Sequence, residues 1–79
     1  MSTNFLKNWY NLGMEVNFKE NLKTLRAENK LTQSDFAKKL NTTVKTVSHW
    51  ETGYSEPSIA QIVEIANFFK ISTDELLTK

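Results

Sequence analysis

Apolar residues recur along the chain at helical spacing, and a capping side chain marks where each run begins. Phe18, Leu22 and Leu25 fall at i, i+4 and i+7, which predicts a first helix with one apolar face. A second, short run from Gln33 to Leu40 puts Phe36, Ala37 and Leu40 on one side. A third goes from Val44 to about Glu51 and stops at Gly53, which accepts the positive φ of a helix end. After the loop from Thr52 to Pro57, a fourth helix is predicted to turn Ile59, Ile62, Val63, Ala66 and Phe69 inward, and a stub carrying Leu76 and Leu77 follows. Ser58 with Gln61 and Ser72 with Glu75 match the capping box, while Asn17 with Glu20 and Thr32 with Asp35 are near variants. Thr43 is a fifth cap without a box partner. Upstream, Phe5, Trp9, Leu12 and Val16 share a narrow arc on a helical wheel, so residues 1–17 read as a helical extension despite Gly13.

The join between the second and third helices carries the most information. Only Asn41 and Thr42 lie between Leu40 and the cap at Thr43, too little chain for an antiparallel return. The two helices must cross steeply, and Asn41 suits the corner because its short polar side chain tolerates the left-handed conformation. This is the helix-turn-helix arrangement, in which the second helix stands proud of the body and fits the major groove of DNA. At about 100° per residue, Val47, Trp50 and Glu51 fall on one side of that helix with Thr46 at the edge. Lys45, Ser48 and His49 fall opposite, with Val44 on the border. Val47 and Trp50 are read as core, leaving Lys45, Ser48 and His49 as the outward face.

Composition narrows the choice of chemistry. The 79 residues are 39% hydrophobic and 24% charged with a formal net charge of +1, enough for one small core and too balanced to imply a polybasic partner. There is no Cys and one His, so thiol catalysis, disulfides and a clustered metal site are not expected. Two Gly and one Pro argue against a turn-rich β fold. No apolar run is of membrane length, and the N-terminus lacks a signal-peptide pattern, so a cytoplasmic chain is expected. Ser48 beside His49 suggests a nucleophile and its base, but adjacent helical residues diverge by about 100° and cannot share a bond readily. Neither an enzyme nor a cofactor is expected.

Taken together, Leu31-Thr32-Gln33-Ser34-Asp35-Phe36-Ala37, Leu40-Asn41-Thr42-Thr43, Val47-Ser48-His49-Trp50-Glu51-Thr52-Gly53 and Pro57-Ser58 closely resemble the XRE or Cro/CI-type helix-turn-helix domain. Ile65-Ala66-Asn67-Phe68-Phe69-Lys70-Ile71-Ser72 with Asp74-Glu75-Leu76-Leu77 looks like that family's fourth and fifth helices. The resemblance covers about residues 18–77 and departs from the family where Asn41 replaces a commoner Gly and Thr42 an apolar residue. It implies an all-α, five-helix, lambda-repressor-like domain, usually dimeric on double-stranded DNA in bacteria and phages.

The resemblance places base-edge contacts on Val44, Lys45 and His49, with Ser48 on the same face. Lys45 can donate to guanine, Val44 can pack on a thymine methyl, and His49 can donate to a guanine or accept from an exocyclic amine. Gln33 opens the second helix, where its amide and the local backbone amides are expected to grip a phosphate. By resemblance Thr43, Tyr54 and Ser55 also meet the DNA backbone. Lys38 and Lys39 are, by their charge, electrostatic helpers. Family likeness further implies an ion pair between Arg26 and Glu51, which join the first helix to the end of the third. The function expected is a transcriptional regulator, a repressor acting as a homodimer on a pseudo-palindromic operator. The competing reading is an antitoxin-type module whose partner protein docks through residues 1–17. The extension is expected to pack near the end of the fourth helix, where Phe68 lies off the inward stripe.

Overall fold

The structure, a computed structural model, describes residues 17–78. They form five helices: α1 (Phe18–Glu28), α2 (Gln33–Lys39), α3 (Val44–Thr52), α4 (Ile59–Phe69) and α5 (Thr73–Leu77). None of these helices is long and apolar enough to cross a membrane. Apart from Asn17, the predicted extension with Phe5, Trp9, Leu12 and Val16 lies outside the described residues.

Side chains start four of the helices. Thr32 accepts from the Asp35 N–H at 2.9 Å while the Asp35 carboxylate accepts from the Thr32 N–H at 3.1 Å, so the shorter acid still closes the box. Hydrogen bonding by Thr32, its backbone first, holds the Asp35 carboxyl below its ordinary range. Ser58 with Gln61 and Ser72 with Glu75 make the same reciprocal pair, and Thr43 accepts from the Thr46 N–H at 3.1 Å. Asn17 departs from the expectation. Its backbone sits at φ −128°, ψ 33°, its side chain makes no cap bond, and its N–H binds the Leu77 carbonyl at 2.6 Å. Asn21 supports the same corner by donating from Nδ2 to the Leu76 carbonyl at 2.9 Å, so α1 closes the C-terminal end of α5.

Left-handed residues follow the first four helices. Lys30, Asn41 and Lys70 have φ of 57°, 58° and 59°, and Gly53 follows α3 at 84°. After each of the three non-glycine residues, the next N–H reaches back to a carbonyl five residues earlier: Leu31 to Arg26, Thr42 to Ala37 and Ile71 to Ala66. This is the Schellman closure, which satisfies carbonyls the helix leaves unpaired. Asn41 therefore turns the α2–α3 corner as its residue type suggests. Lys30 and Lys70 do so without any advantage of type.

The core gathers Phe18 and Leu22 from α1, Phe36 and Ala37 from α2, Leu40 at its end, Val47 and Trp50 from α3, Ile65 and Ala66 from α4, and Leu76 from α5. Two expectations are corrected here. In α4 the inward face centres on Ile65 and Ala66, whereas Ile59 is 74% exposed and Val63 45% exposed. The stripe is turned about half a residue step from the predicted one, because α4 offers apolar residues on more than one side. Phe68 is also not short of neighbours. Its ring meets Phe36 edge-on at 5.7 Å and Phe69 at 5.0 Å and is half-buried by them; the expected packing of residues 1–16 against it falls outside the described residues.

One ionic cluster fixes α3 to the body. Arg26 Nε donates to Glu51 Oε2 at 2.6 Å and Nη2 donates to Oε1 at 2.9 Å, a two-pronged pair. Arg26 Nη1 also donates to the Leu31 carbonyl at 2.8 Å, and Gln33 Nε2 donates to Glu51 Oε1 at 3.0 Å. Glu51 is 4% exposed. Burial pushes its carboxyl upward, but the hydrogen bonds from Arg26 and Gln33 and the charge of Arg26 outweigh that and hold it below its usual value. The bond to Glu51 likewise raises the Arg26 guanidinium against the smaller opposing effect of burial. Among the described residues, no buried side-chain nitrogen or oxygen lacks a hydrogen-bond partner.

The left-handed helix ends and the ionic cluster each set expectations for stability. Lys70→Gly should raise stability by about 0.5–1 kcal/mol because it relieves a left-handed lysine, whereas Gly53→Ala should lower it by about 1 kcal/mol. The loss at Gly53 comes from backbone strain, since a Cβ there would meet only the flexible Lys19 side chain, at 3.4 Å. Urea unfolding of both variants measures the two signs. Arg26→Met, which strands a buried carboxylate, should cost about 3 kcal/mol, a drop of more than about 10 °C in Tm. Glu51→Gln should cost less, because it removes the charge and keeps an acceptor. Glu51 is depressed in the folded state, so its contribution is complete above about pH 4.5 and is lost as pH falls below that value. Melting against pH should accordingly show a shallower acid limb in Glu51→Gln than in the wild type. Two near-native midpoints would overturn the assignment of the cluster.

Candidate nucleic-acid interface

α3 divides cleanly along its length. Val47, Trp50 and Glu51 are buried, and Thr46 at the edge is half-buried. On the opposite side Val44 is 44% exposed, Lys45 is exposed, and Ser48 and His49 are half-buried. The four side chains expected to meet base edges therefore lie outside the core, on a helix whose other side is anchored. Thr43 stands at the head of this face. Its Oγ1 caps Thr46 and shares a 2.9 Å hydrogen bond with Thr46 Oγ1.

The loop after α3 folds back onto the same face. Gly53 at φ 84° reverses the chain, and the Ser55 N–H then donates to the His49 carbonyl at 3.3 Å. The same carbonyl accepts from Thr52 Oγ1 at 3.3 Å, and the Tyr54 N–H donates to Thr52 Oγ1 at 3.4 Å. As a result the Tyr54 ring lies over His49, with centroids 4.5 Å apart and planes tilted by 48°. Sequence reasoning missed this pairing. The residues are five apart, a spacing with no meaning inside a helix, and it becomes a contact only through the reversal at Gly53.

Gln33 takes a part that the sequence did not show. Its side-chain amide donates one of its two N–H groups to Glu51 Oε1, so the residue expected to hold a phosphate also belongs to the ionic cluster. A partner eighteen residues away in the sequence left no local sign of this. Lys38 and Lys39 are exposed in the last turn of α2, and Tyr54 and Ser55 are exposed in the loop after α3. The outward set thus offers an ammonium, an imidazole, hydroxyls and one branched aliphatic surface. Those groups can donate to guanine, bond an exocyclic amine and pack on a thymine methyl.

Comparison with known proteins agrees with this geometry. A helix-turn-helix family profile matches residues 22–76. YqaE, an uncharacterized HTH-type transcriptional regulator of Bacillus subtilis, is 40% identical over 60 residues, covering 76% of this chain and 52% of that protein. BcrR of Enterococcus faecalis, an HTH-type transcriptional activator, is 35% identical over 63 residues, covering 80% of this chain and 31% of that protein. The chain thus spans about half the length of the first relative and about a third of the second. The crystal structure of a transcriptional regulator from Listeria innocua superposes with a TM-score of 0.75 at 33% identity, over 80% of this chain and 59% of the other. On the matched pattern, the fold and the corner at Asn41, the chain belongs to the XRE-type helix-turn-helix family of transcriptional regulators.

Proposed function

We propose that α3 reads a pseudo-palindromic DNA site in the major groove, that two copies bind it together, and that occupancy of the site represses transcription. The observation that carries this reading is the two-sided character of α3. Val44, Lys45, Ser48 and His49 lie outside the core of a helix whose other side is locked by Val47, Trp50 and Glu51. Lys45 and His49 serve as hydrogen-bonding readers, Val44 as an apolar contact, and Ser48 as a hydroxyl that suits either donor or acceptor. Thr43, Tyr54, Ser55 and Lys38 supply contacts to the sugar-phosphate backbone, which orient the helix without selecting sequence. Two recognition helices in one dimer need a separation of about 34 Å, one turn of the duplex. Ile59 and Val63, exposed one turn apart on α4, offer apolar surface to the second copy. Repression is the simplest consequence of occupancy, because a protein on a promoter excludes other proteins from it. BcrR is named an activator, so the sign is to be read by placing a selected site upstream of a reporter.

Selecting bound duplexes from a random pool tests the reading directly and should return an inverted repeat. Against that site, Lys45→Ala and His49→Ala should each lose about 1–3 kcal/mol, and far less on random DNA. Lys38→Ala should weaken both kinds of DNA alike and lower the salt slope by about one. An unchanged ratio of specific to random affinity in Lys45→Ala would overturn this assignment of the reading face. Recovery of a stoichiometric partner protein and no selected DNA would favour the antitoxin-type module instead.

A further inference from the structure

We infer that Tyr54 is a positioning residue: its ring holds the His49 imidazole in one orientation on the outward face of α3 and so sets which base His49 prefers. The inference rests on the proposed reading of DNA by α3. A partly exposed imidazole on a helix samples several rotamers, each aiming its ring nitrogens at a different point. At His49 one flank is taken by the Tyr54 ring, centroid to centroid 4.5 Å and tilted by 48°. The backbone brings Tyr54 there. Gly53 reverses the chain at φ 84°, and the N–H groups of Tyr54 and Ser55 are both bonded back to the last turn of α3. Core packing does not account for the placement, because Tyr54 is 78% exposed. The described contact of its ring is with an imidazole on the reading face.

The physical consequence is preorganisation. A side chain ordered before binding does not lose that freedom at the DNA, and a base that does not suit its fixed direction is disfavoured. The ring supplies this effect and the phenolic hydroxyl does not, which separates positioning from the backbone contact proposed for the same residue. Tyr54→Ala should therefore reduce discrimination about two- to tenfold at the base pairs His49→Ala also affects, leaving those that depend on Lys45 unchanged. Tyr54→Phe should retain it.

The test uses the full 79-residue chain. Binding selections and competition assays compare wild type, Tyr54→Ala, Tyr54→Phe, His49→Ala and the double variant His49→Ala with Tyr54→Ala. NMR of the DNA-free protein reads the ring-current displacement of the His49 ring protons. We expect that displacement to vanish in Tyr54→Ala and persist in Tyr54→Phe, with melting unchanged in both. We also expect Tyr54→Ala to add no further loss of discrimination in the His49→Ala background. Equal weakening on every sequence by Tyr54→Ala and Tyr54→Phe, with discrimination unchanged in both, would leave Tyr54 a phosphate contact alone and overturn the inference. So would additive losses in the double variant. A wild type that selects no sequence, with the ring-current shifts intact, would instead overturn the DNA reading of α3 and take this inference with it.

Discussion

A carboxylate without water must have its charge answered by the protein, and Glu51 is the carboxylate this domain has put inside. Its two oxygens take three hydrogen bonds, two from the Arg26 guanidinium and one from the Gln33 amide. Those donors come from α1 and from the first residue of α2, so meeting the demand of one side chain fixes three helices in a single relative placement. Buried apolar contacts are tolerant of small slides, while a two-pronged guanidinium–carboxylate pair is not. Val47 and Trp50 bury the same side of α3. Together the cluster and the apolar seam determine which side of α3 is left outward, and the candidate site is that remainder.

The other end of the molecule is tied by backbone groups instead of charges. Asn17 and Asn21 engage the carbonyls at the end of α5, and Leu76 fills the gap behind them. The ring cluster of Phe36, Phe68 and Phe69 holds α4 against α2, with Phe36 and Phe69 stacked at 5.4 Å. Hence α1 supports α3 at one point and α5 at another, and α2 bears on both α3 and α4. Each short helix has more than one neighbour that limits its motion.

How much of this could be read from the sequence depended on the range of each interaction. Box caps were legible because both partners lie within four residues, and Thr32 with Asp35 closed even though an aspartate is one carbon shorter than the usual glutamate. Asn17 was not, because its backbone left the extended conformation to reach Leu77, far along the chain. The orientation of α4 misled because Ile59, Ile62, Val63, Ile65, Phe68 and Phe69 permit more than one apolar stripe, and only packing selects among them. The inward face of α3 was legible because charged and hydroxyl residues break its other side. In the site itself, residue types pointed to the outward set at Val44, Lys45, Ser48 and His49. The bond from Gln33 to Glu51 and the contact of Tyr54 with His49 rest on tertiary geometry, which no local pattern encodes. Lys30 and Lys70 were likewise hidden, since lysine gives no hint of a left-handed turn.

The division of α3 bears on how such a protein changes over generations. Nine residues hold two sets of instructions that barely overlap: Val47, Trp50 and Glu51 belong to the scaffold, and Val44, Lys45, Ser48 and His49 do not. On the proposed reading of DNA by α3, drift at the second set leaves the first undisturbed, so a lineage would acquire a new target without passing through unfolded ancestors. The freedom is bounded at His49, where the reversed loop has drawn Tyr54 into the outward set. A substitution at either ring alters the surroundings of the other, so these two positions are expected to diversify as a pair while Val44 and Lys45 vary singly.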